Sequence, residues 1–99
     1  MDEPVTVRVT DNTERHRYEA WVDDRLAGYA TYELVPGGIV FEHTMTQPAF
    51  EGHGIGSHLA RTALDDARAR GRHVTPRCPF FASYIERHPE YADLVQSPA

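Results

Sequence analysis

The run Glu51-Gly52-His53-Gly54-Ile55-Gly56-Ser57 is the stretch of this sequence richest in chemistry. Three alternate glycines remove Cβ atoms where a phosphate would come against the backbone. Apolar spacing makes Ile55 the start of a helix, whose first N–H groups are unpaired and carry partial positive charge. Such a loop suits a pyrophosphate. The alternative is a strand-to-helix turn that needs glycine only for its geometry. A dinucleotide fingerprint would want glycine where Ser57 stands and an acidic residue about 20 positions on. Arg72 and His73 occupy that place, and the parallel βαβ unit such a site requires is missing.

Cys78 is the only cysteine. A free thiol titrates at about 8.5, so activation would need a base or a helix N-terminus. A helix beginning near Pro79 would supply the second, and His43 the first. The alternative is a small, packed, apolar residue. His43 falls in a strand over Ile39–Thr46. Alternation puts it on the face of Phe41 and Met45 and puts Thr44 on the other, so the two cannot address one atom unless a bulge intervenes. His43 reads either as a general base or positioning donor, or as a core-edge histidine bonded to backbone. Phe80, Phe81, Tyr84 and Tyr91 read as an aromatic lid over the core. His53 and His58, five apart with no cysteine pair, make a poor metal site, so no metal is expected. Ser83 has no strand-turn-helix elbow around it, which excludes a hydrolase triad. All ten basic residues are Arg, and without Lys neither a Walker-type phosphate loop nor a Schiff-base enzyme is available.

The elements that must position these residues change character halfway along. Val5, Val7 and Val9 alternate with polar residues as a strand, and Asp11-Asn12-Thr13 is a polar turn cluster. Tyr18, Ala20 and Val22 repeat the pattern, Asp23-Asp24 makes a tight connection, and Arg25 to Val35 is a longer strand. Pro36-Gly37-Gly38 breaks that run before Ile39–Thr46 resumes it. Short turns between four strands predict an antiparallel meander. From Ile55 the period becomes helical through Leu59, Ala63, Leu64 and Ala67, with Gly71 as a stop. A short strand at His73–Pro76 and a helix over Phe80–Arg87 complete the order β-β-β-β-α-β-α, an α+β fold.

Ninety-nine residues make one domain, with its core over about 5–95. The formal charge of −5 argues against nucleic acid as the partner. Neither an apolar leader nor a membrane-length run is present, so a cytoplasmic protein with no membrane role is expected. The Ala-, Arg- and Asp-rich usage fits a high-GC bacterial genome.

His43-Thr44, Pro48, Glu51 to Gly56 and Leu59, taken together, resemble the acetyl-CoA-binding motif of the GNAT N-acetyltransferase superfamily. Pro76-Arg77-Cys78-Pro79-Phe80 and the segment Tyr84 to Tyr91 resemble its small stand-alone branch of about a hundred residues, found in bacteria and eukaryotes. The resemblance runs from Val5 to Val95. It implies a reduced GNAT fold in which the strand ending at Met45-Thr46 and the strand His73–Pro76 splay apart. It implies acetyl-CoA as cosubstrate, its pyrophosphate on the backbone of Gly52, His53, Gly54, Ile55, Gly56 and Ser57. The pantetheine would then pass Met45, Thr46 and Cys78. The catalytic residues expected are Cys78, as proton donor or transient acyl carrier, and His43, with either His43 or a water in its place accepting the proton.

The acceptor implied is a small-molecule or peptide amine, and the negative charge favours a cationic one by steering. Larger relatives insert helices after the first strand, but Thr10 to Tyr18 leaves room for a turn only. The acceptor side is therefore open or completed by a partner subunit, and a monomer or weak homodimer is expected. Glu51 stands where the wider superfamily carries Gln or Arg. Met45 stands where several small-branch relatives carry Glu, which removes one candidate base. The alternative function is a CoA- or acyl-CoA-binding module with little or no catalysis.

Overall fold

A computed structural model describes residues 6–95. Strands β1 (Arg8–Asn12), β2 (Arg17–Val22), β3 (Arg25–Val35) and β4 (Gly38–Thr46) follow one another across the sheet, each antiparallel to the next. The polar pair Asp23-Asp24 turns β2 into β3, and Pro36-Gly37 turns β3 into β4. β1 extends through the cluster Asp11-Asn12, because Asp11 accepts from the Tyr32 hydroxyl at 2.6 Å and Asn12 donates to Glu19 at 3.2 Å. The turn therefore falls on residues 13–16. Val5, assigned to the first strand from its alternation, lies outside the described residues.

The expected four-stranded antiparallel sheet needs correction at its far edge. Helix α1 (Ile55–Ala69) carries the chain back over one face, so β5 (His73–Pro76) enters beside β4 and parallel to it. A helical crossover permits that pairing where a hairpin cannot. The sheet is mixed and five-stranded, in the order β1-β2-β3-β4-β5. Helix α2 (Pro79–Arg87) follows, then a 3-10 helix over Pro89–Leu94 that periodicity does not predict, and Val95 closes the described fold with a parallel bridge to Val74.

α1 buries Ile55, Leu59, Ala63, Leu64 and Ala67, the face its spacing predicts. Phe41 from β4 and Phe81 from α2 are fully buried and stack with centroids 4.3 Å apart. This contact fixes α2 against β4 and so sets where Cys78 sits. Tyrosines close the margins of the core: Tyr18 donates to Asp66 at 2.5 Å and Tyr91 to Asp65 at 2.7 Å. Burial first, and the carboxylate acceptor second, pushes both phenols up, Tyr91 to about 12 and Tyr18 further. Burial also pushes the Asp66 carboxyl up, but hydrogen bonds from Tyr18 and Arg70 outweigh it and hold the group below its ordinary range.

Candidate active site

β4 and β5 are paired only from Gly38–Phe41 to His73–Pro76. Pro76 has no N–H with which to extend the ladder, and the chain turns away through Arg77. The Cys78 N–H closes the gap at its base by donating to the Phe41 carbonyl at 2.9 Å. At the same level β4 carries a bulge: Tyr32 opposes Phe41 and Thr31 opposes His43, leaving Glu42 as the extra residue. Beyond it, Glu42 to Thr46 has β3 on one side and no paired strand on the other among the described residues.

The bulge inverts the side-chain alternation. Thr44 opposes Ala30, which is fully buried, so Thr44 faces the helices. Its hydroxyl lies 3.0 Å from the Cys78 sulfur, and either atom can donate. His43 opposes Thr31 on the other face and is exposed. The expectation that His43 shares the face of Phe41 is thus corrected, because one extra residue in β4 shifts the period by one. His43 and Cys78 stand on opposite sides of the sheet, so His43 is not positioned as the base for that thiol. Thr44 makes the contact instead. Cys78 is 3% exposed and stands at the N-cap of α2.

A cleft of about 210 Å³ adjoins the end of β4, walled by Thr46, Phe50, Phe80 and the loop from Glu51 to Ser57 apart from His53. It brings together Thr46, Gly52, Gly54, Ile55, Gly56 and Ser57 of the predicted cofactor residues. His53 is exposed and lies outside it. Met45 opposes Tyr29, which places its side chain on the outer face with His43.

The loop glycines have different tasks. Gly54 caps α1 at φ 71°, in the left-handed region, and a Cβ there would meet nothing within 4 Å. Gly56 is helical, and a Cβ there would come 2.7 Å from the edge of the Phe80 ring. Its small size lets that ring pack on the first turn of α1. No side chain caps this helix, so its first N–H groups are open to a ligand. Across Gly54 and Ser57 the cleft adjoins a second cavity, of about 300 Å³, reached by His58, Arg61, Tyr84 and His88. No group of three His, Cys, Asp or Glu among the described residues is placed to hold a metal.

A strand thus opens from its neighbour beside an uncapped, glycine-led helix. The family model for GCN5-related N-acetyltransferases matches residues 17–94. Protein NATD1 of Xenopus tropicalis is 28% identical over 102 residues, an alignment spanning 97% of this chain and 92% of that protein. The solution NMR structure of a GCN5-like protein from Staphylococcus aureus superimposes with a TM-score of 0.68 at 18% identity. That match covers 99% of this chain and 94% of the other, and it shows a shared fold. With the family model matching most of its length, the chain belongs to the GCN5-related N-acetyltransferase family.

Proposed function

We propose that the protein transfers the acetyl group of acetyl-CoA to an amine, with the cofactor entering where β4 parts from β5. The observation that carries this reading is the juxtaposition of a free β4 edge with an uncapped α1 N-terminus. Pantetheine is an extended chain of amides and can use a strand edge as a peptide would. The pyrophosphate suits the loop N–H groups and the helix dipole. Glu51, exposed at the cleft, contributes backbone only, since a carboxylate beside a pyrophosphate is unfavourable.

The chemistry divides between the two faces of the sheet. The amine nitrogen attacks the thioester carbonyl from the open outer face, and a backbone N–H near Met45 stabilises the oxyanion. His43, or a water it orients, takes the proton lost by nitrogen. The carbon–sulfur bond then breaks, and the Cys78–Thr44 pair on the helix face delivers a proton to the departing thiolate. The products are an acetamide and CoA, with no covalent enzyme intermediate.

One observation favours a CoA-binding module without transfer: β1 and β2 are joined only by the turn at residues 13–16, so that connection shapes no acceptor pocket. Free-thiol release from acetyl-CoA across a panel of polyamines, aromatic amines and lysine-containing peptides separates the readings. Release that depends on an added amine is expected. Cofactor binding without amine-dependent release would favour the module.

A further inference from the structure

Glu19 is the one charged residue buried among the described residues, 5% exposed, and the transfer chemistry makes no use of it. Tyr18 and Ala20 on either side of it are buried toward the helices, so Arg17 and Glu19 project onto the outer face of the sheet. In the transfer reading this is the face from which the amine approaches. Burial of a carboxylate there is unfavourable unless it is paired. Its Oε2 accepts from Arg17 Nε at 2.7 Å and from the Asn12 amide at 3.2 Å. We propose that Glu19 holds Arg17 as the anchor for a carboxylate on the acceptor, so that the amine acetylated is an amino acid or a related amino carboxylate. The proposal rests on the acetyl-transfer reading above and names the class of acceptor for it.

Arg17 is fixed from two sides. Glu19 engages its Nε–H, and the guanidinium lies over the Tyr29 ring with its central carbon 4.5 Å from the centroid. A guanidinium carries five N–H donors, and only the Nε–H of Arg17 has a partner among the described residues. The two Nη nitrogens are left for a ligand, and one-fifth of the side chain is open to solvent. That pair of nitrogens matches the two oxygens of a carboxylate in a bidentate way. An arginine held in place beforehand loses little side-chain freedom when it binds.

The register of the sheet puts this anchor beside the reacting groups. Glu19 opposes Tyr29 and Arg17 opposes Thr31 across β2 and β3. Tyr29 in turn opposes Met45, and Thr31 opposes His43. Neighbouring strands lie about 5 Å apart, so the tyrosine that carries the guanidinium adjoins the β4 residues where the oxyanion donor and the proton acceptor are proposed. This spacing suits an amine only a few bonds from its carboxylate. The net charge of −5 acts on the encounter with an acceptor, whereas Arg17 acts on the acceptor once bound.

Two readouts test the anchor, with glycine, β-alanine and γ-aminobutyrate each compared with its own amide. In the first, the Arg17 Nε–H resonance of nitrogen-15-labelled protein is followed, with and without CoA, as each compound is added. A saturable shift is expected with an amino carboxylate and none with its amide. In the second, amine-dependent thiol release is measured at saturating acetyl-CoA for the wild type, Arg17→Lys and the double variant Arg17→Gln/Glu19→Gln. The double variant removes both charges, so no buried carboxylate is left unpaired, and thermal unfolding checks that it folds. Its kcat/KM for the amino carboxylate should fall about tenfold through KM, the worth of one charge-assisted contact, with little change for the amide. Arg17→Lys should be intermediate, and acetyl-CoA affinity should be the same in all three proteins. Comparing each acceptor with itself across the variants cancels differences in nitrogen basicity. No Nε–H shift with any amino carboxylate, or equal losses for acid and amide, would overturn the anchor while transfer to the amides upholds the acetyl-transfer reading. Absence of amine-dependent release with the Nε–H shift retained would overturn that reading and with it the acceptor role.

Discussion

Cys78→Ala is expected to lower acetyl transfer by about 10²-fold while leaving acetyl-CoA affinity nearly unchanged. The thiol lies at the base of the opening between β4 and β5, 3.0 Å from the Thr44 hydroxyl. A proton donor so placed is worth about two to four orders of magnitude, and this one is buried and without a strong base, which favours the lower end. Affinity should hold because the contacts proposed for the pantetheine and the pyrophosphate are made by backbone, and none of them uses the Cys78 side chain. Cys78→Ser, which replaces the thiol with a hydroxyl donor within reach of Thr44, should recover part of the rate. If Cys78 serves packing alone, the alanine variant loses only about 1 kcal/mol of stability and turns over normally. Initial rates at saturating acetyl-CoA, with urea unfolding of the same samples, distinguish the outcomes.

Gly56→Val is expected to destabilise the fold by about 1–3 kcal/mol, the cost of forcing extra carbon into a packed site. Its Cβ would stand 2.7 Å from the Phe80 ring, which must then move. Phe80 is also a wall of the 210 Å³ cleft, so acetyl-CoA binding should fall together with stability. Adding Phe80→Ala to Gly56→Val removes the clash and should recover stability relative to Gly56→Val alone. Gly54→Ala is a useful contrast. It meets no neighbour, and its cost is the left-handed backbone, about 1–2 kcal/mol. Gly56→Val with wild-type urea stability would show that the packing against Phe80 does not constrain the site.

The contrast between these glycines shows what could be read in advance and what could not. Spacing alone located the loop, the start of α1 and its buried face, because helix periodicity and glycine content are local properties. That Gly56 answers to Phe80 was not legible, since the two are far apart in sequence and meet only when α2 packs on α1. The bulge at Glu42 was hidden for a similar reason. Alternation within β4 gives a regular period, and the irregularity appears only in its register against β3, where Tyr32 and Thr31 oppose Phe41 and His43. One signal pointed that way: the adjacent residues His43 and Thr44 are both polar where a half-buried strand would alternate. The parallel entry of β5 depends on how α1 crosses the sheet. The meander itself was legible because its turns carry their own chemistry in Asp23-Asp24 and Pro36-Gly37.

Amide-resolved titration tests most directly whether the cofactor enters at the opening of β4 from β5 beside the α1 N-terminus. Nitrogen-15-labelled protein is titrated with acetyl-CoA while the backbone N–H resonances are followed. The largest saturable shifts are expected at Gly52 to Ser57 and along Met45-Thr46, with smaller ones at Cys78. Saturable binding whose shifts fall elsewhere, or no saturable binding, would contradict the assignment of this opening as the cofactor site.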